Sequence, residues 1–338
     1  MVMIGLAITV LVIAGTFIYL NYFAKKRLII STTTSLYETG LLEIIETAFE
    51  SKHSIDLQFI SAGTGIAIEH AKNGDADLIL VHSPSQEKTF LKEGYGVSRK
   101  IIAHNFFTIV GPQNDLVQIT GLNVTEALKK IVEYGRNQSD PNNKVWFSRG
   151  DNSGTHSKEQ SLWKLAGFNY TALSAEEWYA SAGAGMGETL LKTEEKSAYT
   201  LSDIGTYLKY YEKDDLISLK SYLSETYDLL NVYSAIAVNQ TRQSHVNFDD
   251  AVTFIKFLIS DECQQLIENF GKNDYGQTER LFHSAADLVE QNSTELVAQW
   301  IRKYAFLENP QASGQFSECP PQYRDPRYPE FYSYENST

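Results

Sequence analysis

Short apolar runs of strand length alternate with segments of helical periodicity through most of the chain. In the segment 41–50, Leu41, Ile44, Ile45, Ala48 and Phe49 follow the spacing of an amphipathic helix. The predicted strands are RLII (27–30), DLQFI (56–60), ADLILVHSP (76–84), NFFTIVGP (105–112), KVWF (144–147), AYTL (198–201) and LLNVYSAIAV (229–238). Strands that alternate with helices predict an α/β protein with mostly parallel sheets.

The pattern differs at both ends of this block. The segment 284–309 predicts one helix, and the remainder to residue 338 is an irregular tail rich in proline, tyrosine and polar residues. At the other end, Val2 to Phe23 contains no charged residue, which predicts a retained transmembrane helix within residues 1–24. Lys25, Lys26 and Arg27 would keep the following chain in the cytoplasm.

Glycosylation sequons favour the opposite orientation. All six follow the apolar segment, at Asn123, Asn137, Asn169, Asn239, Asn292 and Asn336. We therefore expect a single-pass membrane protein whose body is extracytoplasmic and glycosylated. In that compartment Cys263 and Cys319 could form a disulfide or remain separate thiols.

Charge narrows the classes of partner. Among 338 residues, 43% are hydrophobic and 21% charged, which is typical of a globular protein. The net charge of −13 argues against a general nucleic-acid binder, because phosphate backbones require a basic surface. A small anion remains possible, since a few donors in a desolvated pocket outweigh a diffuse surface charge. No cysteine or histidine pair has the spacing of a zinc site, so we predict no structural metal.

Polar loops after three predicted strands carry hydroxyl residues. STTTSLYETG (31–40) contains Thr33, Thr34 and Ser35, SAGTG (61–65) contains Thr64, and SRGDNSGTH (148–156) contains Ser153 and Thr155. In an open parallel sheet such loops meet at the carboxyl ends of the strands, where the following helices offer free N–H groups to an anion. Arg149 adds a fixed cation, and Asp151 could orient it or cap a helix.

Two other interpretations of these residues remain open. Ser153 and Asp151 could be helix caps alone, or Ser153 could be the nucleophile of a secreted hydrolase, with His156 or His82 as base and Asp203 as orienting residue. The serine spacing does not match Gly-x-Ser-x-Gly, which disfavours a hydrolase. The glycines of SAGAGMGETL (181–190) suggest close backbone approach to a ligand or a helix rather than a nucleotide loop.

Eight short motifs together resemble the tungstate-binding proteins of ABC importers (TupA type). They are TTTS, SAGTGIAIEHAKNGDADLILVHSP, EGYG, NFFTIVGP, SRGDNSGTH, AGMGETL, AYTLSDIGTYL and FGKNDYGQ, in the order and spacing of that family. The resemblance runs from about Leu28 to about Phe282. The anchor and the C-terminal residues 284–338 lie outside it, and the serine before the proline in VHSP replaces an expected alanine.

The resemblance implies a type II periplasmic-binding-protein fold, in which two doubly wound α/β lobes joined by two hinge strands close on an oxyanion. Residues 28–110 and 229–283 would form lobe I and residues 111–228 lobe II, with NFFTIVGP and LLNVYSAIAV as the hinge strands. The implied anion donors are Thr33, Thr34, Ser35, Arg149, Ser153 and Thr155, with Thr64 and the Gly185 backbone as further candidates. The implied partner is an ABC permease, and no catalysis or cofactor is expected.

The implied ligand is tungstate or molybdate. Both anions carry no proton at neutral pH, so their oxygens only accept hydrogen bonds, which suits hydroxyls, N–H groups and one arginine. Phosphate keeps a proton and needs an acceptor, for which Asp151 could serve unless Arg149 occupies it. Phosphate and sulfate binding on the same fold therefore remain alternatives.

Overall fold

The computed structural model describes residues 26–140, 142–223, 225–272, 280–290 and 293–336. The predicted transmembrane segment Val2–Phe23, Asn292 and most of FGKNDYGQ lie outside the described residues. Among the helices of the described part, none has the length and apolar character needed to cross a membrane.

Strands and helices alternate through the first two thirds of the chain. The strands are β1 Lys26–Thr33, β2 Ile55–Ala62, β3 Leu78–Val81, β4 Gly96–Pro112, β5 Trp146–Ser148, β6 Tyr179–Ser181, β7 Thr200–Asp203, β8 Leu219–Ser221, β9 Leu230–Val238, β10 His283–Ser284, β11 Leu307–Glu308 and β12 Phe316–Ser317. The α-helices are α1 Thr34–Glu38, α2 Leu41–Glu50, α3 Thr64–Asn73, α4 Pro84–Lys92, α5 Val124–Arg136, α6 Gly154–Leu165, α7 Tyr170–Leu173, α8 Met186–Lys196, α9 Ile204–Glu212, α10 Phe248–Leu258, α11 Asp261–Asn269, α12 Ala286–Glu290 and α13 Leu296–Ala305. Short 3-10 helices cover Tyr227–Leu229, Pro321–Tyr323 and Pro329–Asn336.

Strand β4 belongs to two sheets. Its Gly96–Phe106 part pairs with β9 in a first sheet of order β10-β4-β9-β3-β1-β2, whereas Phe107–Pro112 pairs with β7 and β8. Strands β1, β2 and β3 are parallel to one another, and β9 runs antiparallel to both β3 and β4. The sheets are therefore mixed and not mostly parallel, because β9 runs antiparallel to its neighbours in the first sheet and β4 runs antiparallel to β7 and β8 in the second.

We call residues 26–106 with 230–272 the first half and residues 107–223 the second half. Two hydrophobic clusters fill the interior. Strands β1, β3 and β9 with helices α2 and α10 build most of the first, which also includes side chains of α8 and α9 from the second half, while α5, α6, β5 and β7 supply much of the second. Strand β4 contributes to both, with Ile102 in the first cluster and Phe107 in the second. The predicted hinge strands thus lie side by side, with Asn105 opposite Asn231.

The C-terminal residues pack against the body. Ile301 and Ala305 of α13 join the second cluster, and Cys319, Phe331 and Tyr332 join the first. The prediction of one helix over 284–309 was wrong: α12 ends at Glu290, Ser293–Glu295 are non-helical, and Leu307–Glu308 form β11. Both cysteines are buried as free thiols.

Two local predictions also differ from the structure. The polar segment 31–40 was predicted to be a loop, but Ser31–Thr33 extend β1 and Thr34–Glu38 form α1. These hydroxyls are buried and can continue the strand because β2 and β3 flank it. In α2, Ile44 has the spacing of the apolar face but is 42% exposed.

Candidate functional site

Four helices begin at the predicted site. Thr33 caps α1, Gly63 precedes α3, Ser153 caps α6 and Gly185 precedes α8. The Thr33 and Ser153 side chains each accept a backbone N–H of their own helix, whereas Gly63 and Gly185 have no side chain to cap α3 and α8. Helix amino termini carry free N–H groups and partial positive charge, so this arrangement favours an anion.

Contacts between the two halves bring these helix starts together. A methyl group on Gly63 would lie 3.4 Å from the Ser153 Cβ. The Gly65 N–H donates to the Asn152 carbonyl at 3.3 Å. On the other side, a methyl group on Gly185 would lie 3.7 Å from the Thr34 Cβ. The described structure is therefore closed around the predicted site.

Arg149 lies at the centre of this contact and is 1% exposed. Its Nη2 donates to Thr34 Oγ1 at 3.0 Å and to Asp151 Oδ2 at 2.5 Å, and its Nε donates to the Ala184 carbonyl at 3.3 Å. One arginine thus connects α1 of the first half to two loops of the second. Asp151 Oδ2 holds the guanidinium, as predicted, whereas Oδ1 accepts the Ser153 N–H at 3.2 Å and so positions the residue that caps α6 rather than capping the helix itself.

The loop after β5 has an unusual backbone. Gly150 has a φ of +62° and the non-glycine residue Asn152 a φ of +57°. A Cβ on Gly150 would overlap the Ser181 side chain, so only glycine fits there. The turn directs the Asn152 carbonyl to the first half and places Ser153 at the start of α6.

Three predicted site residues have buried donors without a hydrogen-bond partner. They are Arg149 Nη1, Thr64 Oγ1 and Thr155 Oγ1. Buried polar atoms in folded proteins are nearly always paired, because an unpaired one costs about 1–3 kcal/mol. Three at one group of helix starts indicate donors arranged for an acceptor ligand.

Two of the remaining predicted hydroxyls, those of Thr33 and Ser35, form a short network with His82. Thr33 Oγ1 is 3.3 Å from Ser35 Oγ, which is 3.5 Å from His82 Nε2. His82 Nδ1 is 2.8 Å from Asn231 Oδ1 on β9. Burial lowers the pKa of His82 to about 4, so the ring is neutral at physiological pH and adds no positive charge.

Glu38 was missed by sequence reasoning. Its Oε2 accepts the Gly187 N–H at 3.2 Å, so a carboxylate of the first half caps α8 of the second. Burial raises the pKa of Glu38, although the Gly187 N–H and Arg149 oppose that rise. The contact joins residues 149 positions apart, and no local pattern marks it.

The sequence analysis also underestimated the contribution of the glycine segment 181–190 to the site. It follows β6, a three-residue strand that the sequence pattern did not predict, and leads into α8. This strand–loop–helix context places Gly185 beside Thr34 and Glu38.

The serine-nucleophile interpretation finds no supporting geometry in the described residues. Ser153 Oγ accepts the His156 N–H at 3.2 Å as a helix cap. The His156 ring contacts the Asn152 N–H and the Tyr170 hydroxyl, and the third predicted residue, Asp203, caps α9. Neither histidine ring is hydrogen-bonded to Ser153 Oγ within the part of the chain that the structure describes.

Most of the chain matches known proteins. A family model described as a PBP superfamily domain matches residues 23–262. A tungstate-binding protein TupA of Peptoclostridium acidaminophilum is 38% identical over 256 residues, covering 75% of this chain and 84% of the relative. The chain belongs to the TupA family of the PBP superfamily.

A second relative and a solved structure that resemble this chain agree with this family. A putative ABC transporter anion-binding protein of Haloferax volcanii is 39% identical over 253 residues, covering 74% of this chain and 70% of the relative. The crystal structure of the tungstate ABC transporter from Geobacter sulfurreducens has a TM-score of 0.64 at 36% identity, covering 73% of this chain and 100% of that chain. These names describe transport components and not enzymes. The type II binding-protein fold expected from the motifs agrees with an α/β PBP-like fold.

Proposed function

We propose that this TupA-family protein is an extracytoplasmic solute-binding protein that captures tungstate or molybdate for uptake by an ABC transporter. The observation that carries the proposal is the set of unpaired buried donors at Arg149, Thr64 and Thr155. The names of the TupA relatives and of the neighbouring solved structure support the choice of anion.

Binding in this proposal needs only donors. The Arg149 guanidinium neutralises part of the dianion charge, and Thr64 and Thr155 donate hydroxyl hydrogens. Thr33, Thr34, Ser35 and Ser153 add hydroxyls. The N–H groups at the starts of α3 and α8 that the Asn152 carbonyl and Glu38 do not accept, next to Gly185, complete the shell. No bond is made or broken, so release depends only on the two halves separating.

The two halves would act as the lobes of a hinged clamp. We propose lobe I as residues 28–110 with 229–283 and lobe II as residues 111–228, with β4 and β9 as the hinge. The contacts Arg149 to Thr34, Gly65 to Asn152 and Gly187 to Glu38 all cross between the lobes. They exist only when the clamp is closed, so a ligand that stabilises them favours closure.

The state of Asp151 supports a fully deprotonated anion over phosphate. A phosphate that keeps one proton needs a hydrogen-bond acceptor, and each Asp151 oxygen already accepts one hydrogen bond, which leaves this carboxylate less available to a phosphate proton. Sulfate is also fully deprotonated, so tungstate and sulfate must be separated by experiment. The sequence-based proposals of an N-terminal single-pass anchor, an extracytoplasmic body and a permease partner complete this function.

A panel of anions tests the proposal. The purified protein is unfolded thermally with tungstate, molybdate, sulfate and phosphate, each at concentrations from micromolar to millimolar. A ligand at ~100 times its dissociation constant stabilises the native state by ~2.7 kcal/mol, which shifts the melting temperature measurably. We expect shifts with micromolar tungstate and molybdate and none with equal sulfate or phosphate. A shift with phosphate alone would indicate that the protein serves a phosphate importer instead. No shift with any of the four anions would contradict the proposal.

A further inference from the structure

A second polar cavity lies behind the predicted oxyanion site. Its volume is about 170 Å³, and its lining includes Ser83 and Ser85 of the first half, Ser157 and Ser161 of the second, and Tyr304 of α13. The His82 ring and Gly154 form the wall towards the oxyanion site, and a methyl group on Gly154 would meet that ring at 2.7 Å. The cavity is thus separate from the donors around Arg149.

The cavity contains a buried cation, Lys158. Its residue is 7% exposed, and its Nζ donates to the Leu230 carbonyl at 3.0 Å and lies 4.3 Å from the centre of the Tyr304 ring. None of the ion pairs in the described residues includes Lys158. Burial lowers the pKa of this amine to about 7, and Asp228, an acidic neighbour beyond ion-pair distance, opposes the shift. With its pKa at about 7, the Lys158 amine is about half protonated at neutral pH, and an anion beside it would stabilise the charged form.

Helix α4 offers a second source of positive potential at the same cavity. Its amino terminus is at Ser83 and Pro84, and the Ser83 side chain makes no capping hydrogen bond. Proline has no N–H, so the free donors of this nine-residue helix begin at Ser85. Hydroxyls of Ser83 and Ser157 lie 3.3 Å apart, which places neutral donors of both halves on one side of the cavity.

We propose that this cavity is a second anion-binding site, in which Lys158, the amino terminus of α4 and the serine hydroxyls hold a small inorganic anion. Because Ser83 and Ser85 belong to the first half and Lys158 to the second, an anion bound there holds the two halves together. Occupancy therefore favours the closed form and tightens oxyanion binding at the first site. The assignment of the second site does not depend on which oxyanion the first site binds.

Anomalous diffraction tests the site directly. Crystals of the full-length protein are soaked with bromide, and others with selenate, to distinguish a halide from a tetraoxyanion. We expect an anomalous peak next to Lys158 Nζ with at least one probe in the wild type and in K164M, and none in K158M. Lys164 is the matched control because it lies exposed on the same helix. No peak with either probe, or an unchanged peak in K158M, would overturn the proposal.

Solution titration provides a test that does not need crystals. Tungstate is titrated into the wild type, K158M and K164M in bromide and in gluconate at equal ionic strength. Bromide should raise tungstate affinity several-fold in the wild type and K164M but not in K158M. If K158M fails to fold, S157A serves instead and should reduce the bromide effect. Equal affinities in bromide and gluconate for the wild type would contradict the coupling. Loss of tungstate binding by K158M in gluconate would instead place Lys158 in the first site and overturn the proposal.

Discussion

At the scale of single residues, the feature that points to a ligand is a group of buried donors that lie together at the predicted site and that the fold does not satisfy. Thr64 Oγ1, Thr155 Oγ1 and Arg149 Nη1 are all buried and unpaired. Unpaired buried donors destabilise the free protein, and hydrogen bonds to a bound ligand would offset that destabilisation. Removing one of these donors should therefore leave the free protein as stable or more stable but weaken ligand binding.

Replacing Thr64 with valine tests this opposition. The change removes the unpaired hydroxyl but keeps the shape, so the free protein should keep its stability or gain up to about 1 kcal/mol. Tungstate affinity should fall about 10- to 100-fold, because a hydrogen bond to a charged ligand is lost. Thermal unfolding without ligand and calorimetric titration measure the two effects. A Thr64→Val protein that is less stable and binds normally would show that the hydroxyl is structural.

His82 should control stability in acid. Its folded pKa is about 4 against 6.5 when unfolded, so the unfolded chain binds more protons between these values. Stability therefore falls as pH decreases from 6.5 to 4, by roughly 3 kcal/mol from this residue.

Chemical denaturation of variants across that pH range isolates the contribution of His82. Burial also lowers the pKa of His104, which therefore contributes to the same pH dependence in every variant. Each variant is for this reason compared with the wild type. His82→Asn should show a smaller loss of stability with acidification, while the exposed control His245→Asn should follow the wild type. Parallel curves for His82→Asn and the wild type would contradict the assignment.

At the scale of elements, the sequence was most informative where a strand and its following loop carry a strong local signal. The loops at Thr64 and at Arg149–Thr155 could be predicted because hydroxyls and glycines follow apolar runs directly. Strand β6 was not predicted, because its residues Tyr179–Ser181 run directly into the glycine-rich segment 181–190 without a boundary in the sequence pattern. Glu38 was not predicted, because its contact with Gly187 depends on how the two halves pack and not on a local pattern in the sequence.

Glycine substitutions separate closure from folding. A methyl group on Gly65 would lie 2.5 Å from Asn152 Nδ2 and 3.1 Å from its carbonyl oxygen, across the two halves. Gly65→Ala should therefore lower tungstate affinity by at least about tenfold while the ligand-free melting temperature changes little.

The control is Gly135→Ala, in which the methyl group would overlap Trp178 within the second half. This variant should lower the melting temperature, because the clash is present whether the halves are open or closed. Calorimetric titration and thermal unfolding of both variants provide the comparison. If Gly65→Ala lowers the melting temperature as much as Gly135→Ala, the contact is needed for folding and not specifically for closure.

At the scale of the whole molecule, the C-terminal extension is part of the folded body although the family match ends at residue 262. Two consecutive buried cations of β4 depend on it. Arg99 donates to the Glu318 carbonyl at 2.6 Å and pairs with Glu87, and Lys100 pairs with Glu318 at 2.6 Å. Tyr332 also donates to the Arg99 carbonyl. The tail thus supplies partners for charges on the strand that joins the two halves.

Neutralising Glu318 should destabilise the protein. Glu318→Gln leaves Lys100 with Glu290 as its remaining acidic partner among the described residues, which should cost about 3 kcal/mol of unfolding free energy. The exposed control Glu308→Gln should change stability by less than about 0.5 kcal/mol. Urea unfolding at neutral pH gives both values. Equal stability of the two variants would mean that the tail does not support β4.

The central claim is that Arg149 and its neighbours bind an oxyanion between the two halves. Isothermal titration of tungstate into the wild type, Arg149→Ala and Arg136→Ala tests it most directly, because Arg136 is an exposed arginine of the second half. We predict one tungstate per chain for the wild type and Arg136→Ala, and an affinity at least ~100-fold weaker for Arg149→Ala. Wild-type affinity in Arg149→Ala, or no binding by the wild-type protein, would contradict the account.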